Sequence, residues 1–507
     1  MGRHSGNMRM ADHVPSATSQ TLGMSVRRGA AWSLLNSAVV RLGSVVSGIV
    51  IARLLVPEDY GTFAIALVVL NALLSINELG VSLAIVRWPG NPERIAPTVM
   101  TLSVVSSVLL YALTYVAAPT LAGLLGASEA APLVRVLALS MVVDGVSAVP
   151  AAMLTRDFLQ NRRLKADLTG FAVSTAITIA LAWLGYGAWS LVIGYLLGNL
   201  ATSILVWFLA PRRPRPGWNP DVVPELLAFG LPLCGSSLLV FGVLNLANIV
   251  VGAELGPTEL GFYTLAFNLS SWPVSVVSLA TRRVAMAAFA RIAHDSVALE
   301  DGFARAAALL LAVTLPICAL LFVLSEPLIR VVYGSQWVPA AQILPWLAVL
   351  AAARVLAELA YDLLVAVARS RAVFAIQGLW LFVLIPALFV GAHQGGVEGV
   401  ALAQAIVAWV VVVPAFYLAL SRAAVRPIPS VRYMGRPVLA TAAAVAAMLL
   451  LDVKVTGDLT RLVVLGMVGA IVSGVLLLPL RRLAYASLRQ DGPPGANINH
   501  DAAPTSS

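Results

Sequence analysis

Long apolar segments recur along the whole chain and are separated by short polar stretches. A helix needs roughly 20 apolar residues to cross a bilayer core about 30 Å thick. These segments are much longer than barrel strands and do not alternate apolar with polar positions as barrel strands do. The pattern therefore predicts an all-α polytopic membrane protein with about 14 transmembrane helices, at 29–55, 60–86, 95–118, 133–155, 166–185, 187–210, 226–252, 260–281, 303–324, 340–366, 372–392, 396–420, 434–451 and 460–480.

The composition agrees with a membrane protein. Of the 507 residues, 60% are hydrophobic and 11% are charged, whereas a soluble domain carries about 25% charged residues. Such a chain cannot cover a large water-facing surface, which excludes a soluble enzyme, a disordered chain and a nucleic-acid binder. The net charge of +9 is therefore no sign of a nucleic-acid partner.

The distribution of basic residues predicts the orientation in the membrane. With the N-terminus in the cytoplasm, 26 of the 33 Lys and Arg residues fall in cytoplasmic loops and tails, and only 4 fall outside. Positive residues collect on the cytoplasmic side of membrane proteins. We therefore expect a multi-pass membrane protein with both termini in the cytoplasm. Residues 1–28 and 483–507 are predicted to be disordered cytoplasmic tails, and no cleavable signal peptide is expected.

A short motif recurs 200 residues apart. LVPEDYG at 55–61 is repeated as LGPTELG at 255–261, and each copy follows the first helix of a set of six. Because both sets begin in the same orientation, they predict two parallel six-helix lobes related by an axis along the membrane normal. The predicted organisation is an N-lobe at 29–210, a cytoplasmic linker at 211–224, a C-lobe at 225–422 and two further helices within 423–482. The linker is rich in Pro and Arg, which suits two lobes that move as bodies.

Ionisable residues inside membrane helices are costly and usually face a cavity. Arg354, Glu358 and Asp362 are spaced i, i+4 and share one face of their helix. Two interpretations are open for Arg354 and Glu358, an intrahelical ion pair or a polar stripe along a water-filled path. The full set of candidates for the substrate path is Arg41, Glu78, Asp144, Asn245, Asn268, Arg354, Glu358 and Asp362, and Arg53 is a candidate for an outer gate.

The sequence offers no sign of catalysis. It contains neither a P-loop nor a Gly-x-Ser-x-Gly elbow, and Cys234 and Cys318 are its only cysteines. The five histidines are scattered in predicted tails and loops, so neither a metal site nor a cofactor is expected. Transport is the function that this pattern favours, with no catalytic residues.

Several motifs together resemble a known family. They are ARLLVPEDYGTF at 52–63, ELGVSLAIVR at 78–87, RRLK at 162–165, LGYGAWSLV at 184–192, FGLP at 229–232, EPLI at 326–329, YGSQW at 333–337 and GGVEGVALA at 395–403. Over about residues 25–425 the chain resembles Wzx-type polysaccharide flippases of the multidrug/oligosaccharidyl-lipid/polysaccharide exporter superfamily, within the colanic-acid-exporter-like subgroup.

The resemblance implies a fold like that of the multidrug exporters, a location in the bacterial plasma (inner) membrane, and a polyprenyl-diphosphate-linked oligosaccharide as substrate. It implies that a cationic residue, Arg41 by position with Arg53 and Arg354 behind it, holds the diphosphate, and that the last two helices offer a groove to the lipid tail. Expected partners are the lipid-linked oligosaccharide, the bilayer, and a polysaccharide polymerase or chain-length machinery. Two alternatives stay open: a multidrug efflux antiporter of the same superfamily, and a membrane-embedded glycan polymerase or ligase.

Overall fold

The computed structural model describes residues 43–77, 84–86, 88, 91–272, 274, 296–423 and 428–480. Arg41, Glu78 and both predicted tails lie outside the described residues. Within the described ranges the regular structure is helical throughout, without strands. This confirms the predicted fold class.

The described helices follow the predicted apolar segments closely. They are α1 (Gly43–Leu54), α2 (Pro57–Asn77), α3 (Ala96–Leu124), α4 (Ala131–Arg156), α5 (Gln160–Trp183), α6 (Ala188–Leu209), α7 (Val223–Leu255), α8 (257–272), α9 (Ser296–Val323), α10 (Ser325–Val332), α11 (Ala340–Ala366), α12 (Ser370–Val407), α13 (Val413–Arg422), α14 (Ile428–Asp452) and α15 (Asp458–Leu477). Each of the fourteen predicted segments overlaps a described helix, and 340–366 coincides with α11. The short α10 was not predicted.

Eleven helical runs in the described ranges are long and apolar enough to cross a membrane. The longest, Ser370–Arg422, has 53 residues, but Gly395 and Gly396 take non-helical angles inside it. A Cβ atom on Gly391 would collide with the carbonyl of Gly399, and one on Gly399 would collide with that of Gly391. The chain therefore folds back here as a helical hairpin, which accounts for the two predicted segments 372–392 and 396–420. The total of fourteen spans stays a prediction.

The described chain forms two compact units. The first contains the chain up to Ile51, Ile76–Tyr115 and Val136–Cys234, and the second contains Ala52–Ser75, Val116–Arg135 and the chain from Gly235 onward. The lobe boundaries predicted from the repeat stay a prediction.

Small residues pack α5 against α6 in the first unit. A Cβ atom on Gly194 would collide with Thr178, and one on Gly198 would meet Ser174. These residues recur every fourth position, the spacing of one helix face. Membrane helices associate through such small-residue faces because they let the backbones approach closely.

The predicted linker at 211–224 is part of the first unit and is anchored within it. The Thr101 hydroxyl donates to the carbonyl of Gly217 at 2.8 Å and accepts from its amide at 3.0 Å. Arg212 forms an ion pair with Glu93 at 3.4 Å. The linker therefore has fixed anchor points on α3 and the turn before it, beyond what its Pro/Arg composition predicts.

The two copies of the sequence repeat meet inside the second unit. Helices α2 and α8 begin at Pro57 and at position 257, also a proline, and proline is favoured at the first helical position. A Cβ atom on Gly61 would collide with the carbonyl of Pro257, and one on Gly261 would collide with that of Pro57. The contact is reciprocal, as expected for two copies related by a local two-fold axis, which supports the repeat.

The last two helices pack on the C-terminal half. Met448 of α14 and Leu465 of α15 share a buried cluster with Ala319 and Leu324. A salt bridge from Arg330 of α10 to Asp458, at 3.3 Å, ties the start of α15 to the same surface. Helices α14 and α15 are therefore integral parts of the second unit.

Candidate functional site

A cavity of about 270 Å³ lies inside the second unit. Its apolar wall comes from α7 and α13, and its polar wall comes from α11 and α12. The lining residues are Val240, Val243, Leu244, Arg354, Ala357, Glu358, Tyr361, Gln377, Trp380 and Phe416. A polar wall inside helices that are otherwise apolar is the feature that a substrate path requires.

Helix α11 places Arg354 and Glu358 side by side on this wall. Both are half-buried, whereas Ala353, Val355 and Leu359 between and beside them are buried in protein. Arg354 interacts electrostatically with Glu358, and its guanidinium lies 5.4 Å from the centre of the Phe267 ring, which is cation–π range. The two interpretations open at the sequence level are thus compatible, because the charged pair also lines the cavity.

Helix α12 supplies the other polar groups, which sequence reasoning missed. Gln377 and Trp380 are one turn apart and face the cavity together with Tyr361 of α11. A smaller cavity of about 30 Å³ also has Arg354 and Trp380 in its lining, along with Phe267 and Gln404. Arg354 and Trp380 therefore take part in both cavities.

Three candidates in the second unit are absent from the cavity lining. Asp362 is buried, with 4% of its surface exposed. Asn245 donates its side-chain amide to the carbonyl of Phe241 within its own helix, at 3.2 Å. Asn268 is exposed. That these three residues line a substrate path stays a prediction. The same holds for Arg41 and Glu78, which lie outside the described residues.

Asp144 belongs to the first unit and is not among the residues that line this cavity. The side chain of Asn199 of α6 interacts with Asp144, and the Asn199 amide lies 3.5 Å from the carbonyl of Ser140. The aspartate is thus bound into the α4–α6 contact. Its role in the substrate path also stays a prediction.

Arg53, the outer-gate candidate, binds the end of α10. Its guanidinium donates from Nε to the carbonyl of Val332 at 2.7 Å and from Nη2 to that of Val331 at 2.5 Å. Carbonyls at a helix C-terminus lack partners within the helix, and a cation stabilises them. The geometry therefore gives Arg53 a capping contact, and a gating role stays a prediction.

Two further side chains hold the end of α1. The side-chain amide of Gln336 donates to the carbonyls of Ala52 and Leu55 at 3.2 and 3.1 Å. The indole N–H of Trp337 donates to the carbonyl of Ala52 at 2.7 Å, and its ring is fully buried edge-on to Tyr60. We call Arg53, Gln336 and Trp337 the latch.

A comparison with known protein families shows which family the chain belongs to. The sequence model described as "Polysaccharide biosynthesis protein" matches residues 50–342, more than half of the chain. The chain belongs to the polysaccharide biosynthesis protein family. The match includes the first copy of the repeat, the second copy and the latch.

The relatives that this chain resembles carry transport or biosynthesis names. The chain is 27% identical to the succinoglycan biosynthesis transport protein ExoT of Rhizobium meliloti, over 64% of this chain and 65% of that one, just under two thirds of its length. It is 24% identical to the lipopolysaccharide biosynthesis protein WzxC of Escherichia coli (74% and 76% covered) and to the teichuronic acid biosynthesis protein TuaB of Bacillus subtilis (78% and 81%).

Two solved structures show the fold. The lipid II flippase MurJ in an inward closed conformation matches with a TM-score of 0.73 at 16% identity, over 90% of this chain and 99% of that one. An inward-facing multidrug resistance transporter of the MATE family and the MOP superfamily matches with a TM-score of 0.62 at 18% identity, over 76% and 95%. The predicted all-α, multi-pass membrane fold is thereby confirmed.

Proposed function

We propose that this protein translocates a polyprenyl-diphosphate-linked oligosaccharide from the cytoplasmic to the outer leaflet of the bacterial plasma membrane, for the synthesis of a cell-surface polysaccharide. The observation that carries the proposal is the cavity with Arg354, Glu358, Gln377 and Trp380 near the middle of apolar helices. The family and the transport and biosynthesis names of the relatives support it.

The physical reason is the cost of moving sugars through hydrocarbon. Moving a hydroxyl from water into an apolar medium without a hydrogen-bond partner costs roughly 2–7 kcal/mol. A polar cavity inside the helical bundle supplies those partners while the lipid tail stays in the bilayer. Two lobes that expose the cavity alternately to each side would then complete the transfer, which is the mechanism we propose.

A multidrug resistance transporter has a similar fold. An efflux antiporter is therefore the second candidate function. The family assignment and the relatives in polysaccharide biosynthesis favour the flippase. A membrane-embedded polymerase or ligase is disfavoured because one of the relatives, ExoT, is named as a transport protein. We place a polymerase or chain-length machinery after this protein, as a partner that uses the translocated unit.

A deletion strain tests the proposal. We expect lipid-linked oligosaccharide to accumulate on the cytoplasmic face and to be cleared by the wild-type gene. Arg354→Ala should fail to clear it, whereas Arg371→Ala, an exposed arginine outside the cavity, should succeed at the same protein level in the membrane. Normal translocation in the deletion strain, with raised sensitivity to cationic dyes, would refute the flippase and establish the efflux pump.

A further inference from the structure

The proposed substrate has two polar parts, the glycan and the diphosphate. The residues that line the cavity of about 270 Å³ suit the glycan better than the diphosphate. We infer that Arg354, Glu358, Gln377 and Trp380 form a binding site for a sugar ring of the transported glycan, and that the diphosphate binds elsewhere. The inference rests on the proposed function and deepens it, because it assigns one part of the substrate to one set of side chains.

The charge of the cavity disfavours a diphosphate. Its lining contains one cation, Arg354, and one anion, Glu358, so it has no formal net charge. Arg354 already interacts with the Glu358 carboxylate and with the ring of Phe267. A group with several negative charges binds best where cations converge on it, and here the carboxylate would repel it.

The hydrogen-bonding groups suit hydroxyls instead. A sugar hydroxyl both donates and accepts, so it needs both kinds of partner. Arg354 donates, the Glu358 carboxylate accepts, and Gln377 and Tyr361 do both. These four groups come from α11 and α12, and the apolar residues Val240, Val243 and Leu244 of α7 complete the lining.

Trp380 is the aromatic member of the site. A large flat aromatic surface suits the apolar C–H face of a sugar ring. The indole N–H groups of Trp337, Trp346 and Trp409 donate to protein acceptors at 2.7, 3.0 and 3.0 Å. Within the described ranges neither the Trp380 indole nor the Gln377 amide has a protein hydrogen-bond partner, so both are available to a ligand in the cavity.

The size of the cavity limits what it can hold. Ligand pockets usually enclose about 300–1,000 Å³, and this one has about 270 Å³. It is therefore matched to one sugar ring and not to a whole oligosaccharide. The remainder of the glycan would extend beyond the site.

Binding measurements on the full chain in lipid nanodiscs test the inference. One ligand is the oligosaccharide released by mild acid from the strain's own lipid-linked intermediates, and the other is undecaprenyl diphosphate without sugar. The variants are Trp380→Leu, which removes the aromatic surface, Trp380→Phe, which retains part of it, and Trp183→Leu as a matched control on an exposed tryptophan of the first unit.

We expect Trp380→Leu to weaken oligosaccharide binding by about tenfold or more, with Trp380→Phe in between and Trp183→Leu unchanged. Binding of undecaprenyl diphosphate should change by less than about twofold. If Trp380→Leu does not reach the membrane, Gln377→Leu tests the same wall with the same expectation.

Three outcomes would overturn the sugar site: unchanged oligosaccharide binding in Trp380→Leu, equal weakening of both ligands, or no oligosaccharide binding by the wild type. None of them decides the proposed function, which the deletion strain tests separately. Normal translocation without the gene refutes the flippase, whereas the tryptophan variants address only where the sugar binds.

Discussion

Arg354 lies near the midpoint of α11, where an isolated charge would be costly. The neighbouring Glu358 and the ring of Phe267 offset that cost. The pair therefore links stability to the substrate site, since the same two charges that compensate each other also line the cavity. Removing one of the two charges should therefore lower the stability of the protein more than removing both.

We predict that Arg354→Met lowers the stability of the protein more than the double variant Arg354→Met/Glu358→Gln. The single variant leaves the Glu358 carboxylate without this neighbouring cation. For half-buried charges we expect a cost between the ~1 kcal/mol of an exposed pair and the ~3–5 kcal/mol of a buried one. The double variant removes the charge that the single variant leaves behind. Thermal unfolding of the purified protein in one detergent measures both, with Arg371→Met as the control for loss of an arginine.

The double variant should regain at least half of the loss in Tm. If the single and double variants lose the same amount, the two residues are not coupled, and the stability of α11 does not depend on their pairing.

At the scale of helices, the sequence predicts well where each helix lies along the chain. It predicts poorly which side chains of different helices come into contact. The length of apolar runs located α11 to the residue, and i, i+4 spacing placed Arg354 and Glu358 on one face. The partners of that face could not be predicted, because Gln377 and Trp380 join it only through the packing of α12 on α11. Gln377 is an amide in an apolar run, as Asn245 and Asn268 are, and nothing in the local sequence distinguishes the one that lines the cavity.

Two other features escaped prediction for related reasons. The short α10 has a strong amphipathic pattern but only 8 residues, well below the length of a span. The anchoring of the linker depends on Thr101, which lies more than 100 residues from Gly217 in sequence. Contacts between distant segments leave no trace in local composition.

The repeat motif does lead to a prediction at this scale. Gly261 of α8 lies against the carbonyl of Pro57, so a methyl group there forces the two copies of the repeat apart. We predict that Gly261→Ala destabilises the protein by about 1–3 kcal/mol, the usual cost of overpacking. The readout is again thermal unfolding.

Gly378→Ala is the matched control. Gly378 also lies within a helix, but nothing is within 4 Å of the position that its Cβ atom would take. Alanine is the better helix former by about 0.8–1.0 kcal/mol, so this variant should be neutral or more stable. Equal stability of the two alanine variants would show that the close approach at Gly261 does not constrain how α2 and α8 pack against each other.

At the scale of the whole molecule, the orientation and the number of spans are linked. The positive-inside count assigns every loop to a side, and one missed or extra helix would invert all later loops. Phe158, between α4 and α5, is predicted to be cytoplasmic, and Val453, between α14 and α15, is predicted to be outside. Nine predicted spans separate them, and an odd number requires opposite sides.

These two positions form a matched pair for labelling, because each side chain is 88% exposed. In a background with Cys234→Ser and Cys318→Ala, which removes both native thiols, we predict that Val453→Cys reacts with a membrane-impermeant maleimide on spheroplasts and Phe158→Cys does not. Inverted vesicles should give the reverse result. Labelling of both positions from the same side would mean an even number of crossings between them, which contradicts the fourteen-helix topology whatever the orientation of the N-terminus.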